Sequence, residues 1–372
     1  MSLSLFDLKT QSALLKPLIK QKIEAVLEHG AYINGPEVAE FERQLAALSG
    51  AKAAVGVSSG TDALVIPLMA LGVGPGDAVF IPAFTYNATA NAVLLAGGTP
   101  VFVDVDEATF NIDPGQLEDQ IDRIKLRSKL NPKGIIPVDL FGLPADYAAI
   151  NAIAQKHGLF VLADAAQSFG GGQDGARVGA LAPVTATSFF PSKTLGGYGD
   201  AGAILTQDES LVPVLQSIRW HGTDEARKES IRVGMNGRLD SLQAAVLLAK
   251  LTVFEDEHRR RAAVGAAYDA ALKDVVTVQA LPPGTRHARG LYSVLVSDRP
   301  KFQESLKAAG VPTGIYYGMP LHLHAAFRSF CNGPGSLPVC EGLAQHIVAL
   351  PMHPYLTEAE IAQVTGAVRR AV

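Results

Sequence analysis

The stretch Leu159-Phe160-Val161-Leu162-Ala163-Asp164 is an unbroken apolar run closed by a carboxylate. A run without polar alternation suits a strand buried on both faces, as in a parallel sheet covered by helices on each side. We read the strand as 159–163, and six similar runs accompany it at 53–57, 78–82, 100–105, 134–140, 186–190 and 202–206. Between several of them lie helix-like segments, 62–71, 88–95 and 146–157, long enough to cross from one parallel strand to the next. Seven strands interleaved with helices predict an α/β fold on a large, mixed but mostly parallel sheet.

Two helices precede the first strand. Ile19, Ile23 and Val26 recur at helical spacing up to Gly30, and Pro36 opens a second stripe of Val38, Phe41, Leu45 and Leu48 that stops at Gly50. Beyond the seventh strand a long helix is expected from Leu242 through Arg261, then a strand-like 291–296, a helix over 301–309 and a strand-like 314–317. This second alternation predicts a domain change near residue 250: a large domain with its N-terminal helices over 1–250, and a smaller α/β domain over 251–372. The turn residues of 332–336 predict a loop.

Composition bounds the function. With 372 residues, 48% of them hydrophobic and 18% charged, the chain can bury a large core, and at ~150 residues per domain it holds roughly two or three domains. Its 32 Lys and Arg against 36 Asp and Glu leave a net charge of −4. No basic run exceeds Arg259-Arg260-Arg261, so no nucleic-acid partner is expected. The apolar stretch 64–73 is broken by Pro67 and falls short of the ~20 apolar residues of a spanning helix, so no membrane association is expected either. The opening Met1-Ser2-Leu3-Ser4-Leu5-Phe6-Asp7 lacks the pattern of an export signal, which predicts a cytoplasmic protein. Cys331 and Cys340 lack paired C-x-x-C spacing and read as free thiols. His322-x-His324 has no third ligand in sight, so no metal is expected.

Three motifs carry chemistry. Asp164 ends a buried strand, where open parallel sheets bind ligands; it either caps the next helix or faces a cofactor's ring nitrogen. Ser58-Ser59-Gly60-Thr61-Asp62 follows a strand and opens a helix, so it serves either as a cap or as a phosphate cradle, and it is not a Walker loop. Phe189-Phe190-Pro191-Ser192-Lys193 puts a lysine directly after an apolar strand, beside Gly196, Gly197 and Gly199. A desolvated lysine has a depressed amine pKa and forms Schiff bases, and pyridoxal phosphate sites pair such a lysine with an Asp at the pyridine nitrogen. Lys193 and Asp164 are the candidates for that pair. Gly197-x-Gly199-x-x-Gly202 matches a dinucleotide fingerprint in form, but the residues after it read as a strand rather than a helix.

These motifs, with Phe84-Thr85-Tyr86-Asn87-Ala88-Thr89, Asp164-Ala165-Ala166-Gln167-Ser168 and Asn236-Gly237-Arg238-Leu239-Asp240, resemble the DegT/StrS sugar aminotransferases along nearly the whole chain. The resemblance implies the pyridoxal-phosphate-dependent transferase architecture of fold type I, the aspartate aminotransferase fold. It also implies pyridoxal 5′-phosphate as cofactor, passing through the pyridoxamine 5′-phosphate (PMP) form. By the same resemblance Lys193 is the lysine that carries the cofactor aldehyde, Asp164 the partner of its ring nitrogen, Gln167 a neighbour of its ring hydroxyl and Tyr86 the ring stacked on it. Gly60, Thr61 and Ser188 match the phosphate cradle. Asn236 matches a residue that reaches the phosphate from the other subunit of a homodimer, and Arg238 a substrate contact on that loop. Tyr316, Tyr317 and His322 fall in the segment expected to touch the sugar.

The activity so implied is transfer of an amino group from L-glutamate to a keto sugar on a nucleotide diphosphate, for surface polysaccharide or glycoconjugate synthesis such as lipopolysaccharide O-antigen. Within the family the similarity is greatest to enzymes that aminate carbon 3 of UDP-2-acetamido-2-deoxy-3-keto-glucuronate. Where that group has His-Tyr, this chain has Tyr316-Tyr317, which keeps a neutral 3-keto sugar or a 4-keto sugar open as substrate. A regulator that binds the cofactor without catalysis, a dehydratase and a nicotinamide dehydrogenase are the other readings. The dehydratase branch carries histidine where this chain has Lys193.

Overall fold

The computed structural model describes residues 3–372. Two helices, α1 (Leu8–His29) and α2 (Pro36–Ser49), lead into the sheet, and each ends on a glycine in the left-handed conformation, Gly30 and Gly50. The strands are β1 (Ala53–Val57), β2 (Asp77–Pro82), β3 (Thr99–Val103), β4 (Asn131–Ile135), β5 (Phe160–Asp164), β6 (Val184–Ser188) and β7 (Gly202–Thr206). They form one seven-stranded sheet in the order β1-β7-β6-β5-β4-β2-β3. Only β7 runs against its neighbours, so the sheet is mixed and mostly parallel.

Both faces of this sheet are buried, and successive side chains divide between them. Val79 and Ile81 of β2, Phe102 of β3 and Leu162 of β5 join one core with α3 (Gly60–Ala70), α4 (Ala88–Leu95) and α7 (Val212–Arg219). Ala78 and Phe80, Val101 and Val103, Val161 and Ala163 point to the opposite core, under α5 (Pro114–Arg127) and α6 (Tyr147–His157). The lack of polar alternation in β5 thus has its cause in two helical covers.

The long helix α8 (Ser241–Leu272) extends past the expected end at Arg261. Its early residues Ala244, Leu247 and Phe254 pack with α1, α2 and the β7 side of the sheet. Its later residues Val264, Tyr268 and Leu272 belong to the core of a second, three-stranded sheet of β8 (Thr277–Val278), β9 (Tyr292–Leu295) and β10 (Ile347–Leu350). That sheet is covered by α9 (Arg299–Ala308) and α11 (Glu358–Ala371). Residue 250 therefore lies within a continuous helix shared by both cores. Leu321, Phe327, Cys340 and Leu343, with α10 (Pro338–His346), return to pack on the first core.

Three expected strands are placed differently. The run 134–140 is β4 only to Ile135: Pro137 has no N–H to give the ladder, and Leu140–Gly142 is a 3-10 turn in which Phe141 has φ 62°. The run 186–190 is displaced to Val184–Ser188, because Phe189 and Phe190 leave the strand to begin the loop that carries Lys193. The segment 314–317 is not a strand. Gly314 alone bridges to Ala349, and the rings of Tyr316 and Tyr317 turn away toward the cavity described below. The Gly197–Gly202 stretch opens β7 and no helix, as expected; a Cβ on Gly202 would stand 2.4 Å from the carbonyl oxygen of Ser59.

Candidate active site

A cavity of roughly 430 Å³ opens at the carboxyl ends of β1, β5 and β6, where parallel sheets present strand ends and helix N-termini together. Asp164, at the end of β5, and Lys193, in the loop after β6, both line it. Sequence separates them by a short hairpin, a 3-10 turn and strand β6; the parallel β5–β6 pairing, with Asp164 opposite Ala186, brings them to one end of the sheet.

Asp164 is 5% exposed. Its Oδ2 accepts the hydroxyl of Thr89 at 2.8 Å and its Oδ1 the backbone N–H of Ala166 at 3.3 Å. Burial pushes its carboxyl above the ordinary Asp range, against the pull of those two donors and of the Lys193 charge. Burial likewise lowers the Lys193 amine from its ordinary value, and the Asp164 carboxylate opposes that. The helix-cap alternative for Asp164 does not describe this structure, since its side chain is engaged by Thr89 and faces the cavity.

The wall opposite is the N-terminus of α3. Ser59 caps the helix by accepting the N–H of Asp62 at 3.1 Å, and the Ser58 hydroxyl donates to the Asp62 carboxylate. Gly60 lies so close to Ser188 that a Cβ would meet the serine Cβ at 2.6 Å, so only glycine lets the helix end approach β6. Gly60, Thr61 and Ser188 all line the cavity, and backbone N–H groups of the first helical turn without internal partners make that end a natural anion site.

The remaining rim is aromatic and amide. Tyr86 is 57% exposed at the mouth, with its ring 6.1 Å from that of Tyr317. Gln167 is held from both ends: its Oε1 accepts the N–H of Phe141 at 2.8 Å, and its Nε2 donates to the Tyr317 hydroxyl at 3.1 Å. Tyr316 and Tyr317 line the same cavity, and burial raises both phenols above their ordinary pKa. The residues fit pyridoxal phosphate: a half-buried amine, a buried carboxylate, an anion-binding helix end and an aromatic lip share one chamber.

Three of the expected residues are not brought here. His322 is fully buried in a 3-10 turn, where its Nε2 lies 3.1 Å from Glu341 Oε1; it does not line the cavity, because its turn faces the first core. Asn236 and Arg238 stand on the turn after α7. Asn236 is exposed and bridges to Trp220, and the Arg238 guanidinium stacks 4.4 Å over the Trp220 ring. Two site residues escaped sequence reasoning. Thr89 stood in the family-like stretch Phe84–Thr89 but carried no assigned role. Asp139 carried no motif at all, yet it is a completely buried carboxylate next to the Asp164–Ser168 turn, accepting from Ser168 Oγ at 2.7 Å, Ala145 N at 2.9 Å and Tyr147 Oη at 2.7 Å.

The DegT/DnrJ/EryC1/StrS aminotransferase family matches residues 14–369. The chain belongs to this family. It is a pyridoxal-phosphate-dependent sugar aminotransferase of the fold type seen across that family. A Pseudomonas aeruginosa relative, UDP-2-acetamido-2-deoxy-3-oxo-D-glucuronate aminotransferase, is 48% identical over 356 residues, 95% of this chain and 96% of its own. The crystal structure of a family member from Brucella abortus superposes with a TM-score of 0.96 at 47% identity, covering 99% of this chain and 98% of that one. NtdA of Bacillus subtilis, solved with bound cofactor PMP, is 30% identical with a TM-score of 0.87, covering 96% of this chain and 82% of its own. Among the described residues no helix is long and apolar enough to cross a membrane, and no cluster of His, Cys, Asp and Glu is placed to hold a metal ion.

Proposed function

We propose that this aminotransferase moves the amino group of L-glutamate onto carbon 3 of a UDP-linked 2-acetamido-3-keto sugar of the hexuluronate type, in the cytoplasm, for polysaccharide or glycoconjugate synthesis. The observation that carries the reading is the sharing of one chamber by the half-buried amine of Lys193 and the buried carboxylate of Asp164. The Pseudomonas relative's name supports the position of the keto group.

When bound, pyridoxal phosphate supplies an aldehyde that condenses with amines and a ring that takes up an electron pair from the adjoining carbon. Asp164 would face the ring nitrogen, and Thr89 and the Ala166 N–H favour the charged form of that carboxylate against its burial and fix its orientation. The α3 N-terminus, with Gly60, Thr61 and the Ser188 hydroxyl, would hold the phosphate. Tyr86 would cover the ring, and Gln167 would meet its hydroxyl, with the Gln167 amide fixed by Phe141 and Tyr317. The Lys193 amine would hold the cofactor's aldehyde and, when free, would serve as the base beside it; burial makes that amine less basic, which suits the role.

Asn236, exposed, and Arg238, half-buried, lie outside this chamber, on a segment next to Trp220. Their place fits a homodimer in which this segment completes the partner's site, with Asn236 at the phosphate and Arg238 at the nucleotide sugar. Tyr316 favours a second substrate: a phenol instead of an imidazole on the chamber wall suits a neutral 3-keto sugar as well as a sugar acid.

The test is Lys193→Ala. The variant is expected to lose turnover and the absorbance of the lysine-linked cofactor together, while glutamate converts the parent enzyme to its PMP form. Full activity in the variant would refute the assignment, and a parent protein that binds cofactor yet gives no PMP form with glutamate would point to a regulator. Running the reverse reaction with nucleotide-linked 3-amino and 4-amino sugars, acidic and neutral, reads out the substrate.

A further inference from the structure

Lys250 lies in the first third of α8, beyond its first two turns, and is 3% exposed. A buried ammonium is costly unless it is paired, and lysine is almost never found fully buried without a partner. Its partner here is a backbone carbonyl: Nζ donates to the oxygen of Gly196 at 2.5 Å, and the same ammonium lies 4.6 Å from the ring centroid of Tyr198. Gly196 is three residues beyond Lys193, and Tyr198 is five beyond it.

The loop so gripped is tied elsewhere too. Gly197 N bonds to Phe189 O at 2.7 Å, closing the loop on itself around Lys193, and Lys193 N bonds to Phe190 O at 2.8 Å. Tyr198 N donates to Gln243 Oε1 at 2.9 Å, a second tie to α8 two turns before Lys250. The loop body has no strand or helix of its own to hold it, so these ties set where the Lys193 side chain starts. Of the two from α8, the Lys250 bond is the charged and fully enclosed one, and charge-assisted bonds are roughly twice as strong as neutral ones. Burial lowers the Lys250 amine to about 8, with Glu257 on the same helix opposing the shift.

We propose that Lys250 is a positioning residue for Lys193: its ammonium holds the Gly196 carbonyl so that the reacting amine stands at its working place beside Asp164. Lys250 does not line the chamber; it acts through the loop. The proposal rests on Lys193 being the reacting amine, which Lys193→Ala tests separately.

The experiment is Lys250→Met, which keeps the side chain's length and removes its charge, with Lys250→Gln as a second variant that keeps a donor on a shorter stem. Backbone hydrogen exchange is measured on the cofactor-free chain and steady-state kinetics on the loaded enzyme. The expected result is exchange of the 194–199 amides faster by about tenfold or more, with α5 and α6 unchanged, since a loop that loses its tie opens locally without the rest of the fold. Turnover should fall by roughly tenfold to a hundredfold with KM for the sugar within about twofold, because a displaced base loses rate and leaves binding intact. The Gln variant should lie between Met and the parent in both readouts. Parent-like exchange of 194–199 in Lys250→Met overturns the proposal whatever the activity. So does faster exchange with kcat unchanged, and so does failure of both variants to fold, which would make the bond a general requirement of the core.

Discussion

The hydroxyl of Thr89, on helix α4, donates to Oδ2 of Asp164, at the end of strand β5, across 2.8 Å of fully buried space. Helix and strand are 75 residues apart in sequence, and the bond aims the carboxylate into the chamber while stabilising its charged form. Replacing Thr89 by Val keeps the shape and removes the donor. Losing a hydrogen bond to a buried charge costs about 1.5–3 kcal/mol, so cofactor affinity measured by absorbance titration should fall roughly tenfold to a hundredfold. An unchanged affinity in Thr89→Val would show that the Ala166 N–H alone suffices.

Burial of Lys193 makes its amine less basic than an exposed lysine. The rate at which cofactor-free protein takes up pyridoxal phosphate should therefore rise with pH through a midpoint below ~10.4, the unperturbed lysine value. A midpoint at that value would mean that the amine is solvated as the cofactor arrives.

Asp139 has its pKa raised to about 6 by burial, against the donors Ser168, Ala145 and Tyr147. The folded chain thus holds this proton more tightly than the unfolded one, whose Asp titrates near ~3.9. Stability is free of this burden below about pH 4, falls as pH rises toward the folded pKa, and stays reduced above it; two units correspond to about 3 kcal/mol. Asp139→Asn cannot ionise. Its stability relative to the parent should improve between about pH 4 and pH 7, by up to that amount, in denaturant titrations. A constant difference between the two proteins across that range would contradict the raised pKa.

His322 is enclosed beside Glu341 and away from the chamber. His322→Ala leaves a cavity and takes a partner from the Glu341 carboxylate, and should cost about 2–4 kcal/mol of stability, with KM for the sugar unchanged within error. A raised KM in a stably folded variant would return this residue to the sugar site.

If Asn236 and Arg238 complete a partner's site, two inactive variants should rescue each other. Lys193→Ala and Arg238→Ala, each without activity alone, should regain a fraction of it after being unfolded and refolded together, since a mixed dimer holds one site with neither change. Continued inactivity of the mixture would place Arg238 in the same site as its own Lys193.

Much of the frame was legible before any coordinates. Strands 53–57 and 202–206 and helix 88–95 occupy the positions their apolar patterns predict. β5 was readable because a strand covered on both faces has no polar residue to blur it. The run 134–140 misled because its apolar residues Val138, Leu140 and Phe141 are buried too, but in an irregular turn, and apolarity reports burial rather than strand pairing. Segment 314–317 misled for the same reason: its tyrosines serve a cavity wall instead of a sheet.

At the site, residue type singled out Lys193 and left Asp164 and the Gly60 turn between a cap and a ligand contact, and the family resemblance added Gln167. Sequence by itself thus determined the sheet, the family and the chemical cast of the chamber. Only the tertiary structure decided which polar groups stand behind that cast. Thr89, Asp139 and Lys250 bond to partners 75, 29 and 54 residues away, and a hydrogen bond between distant segments leaves no periodicity or spacing in the chain. Tertiary packing also decided that His322 faces the core and that Arg238 lies outside its own chain's cavity, because the direction of a side chain follows from the surfaces that close over it.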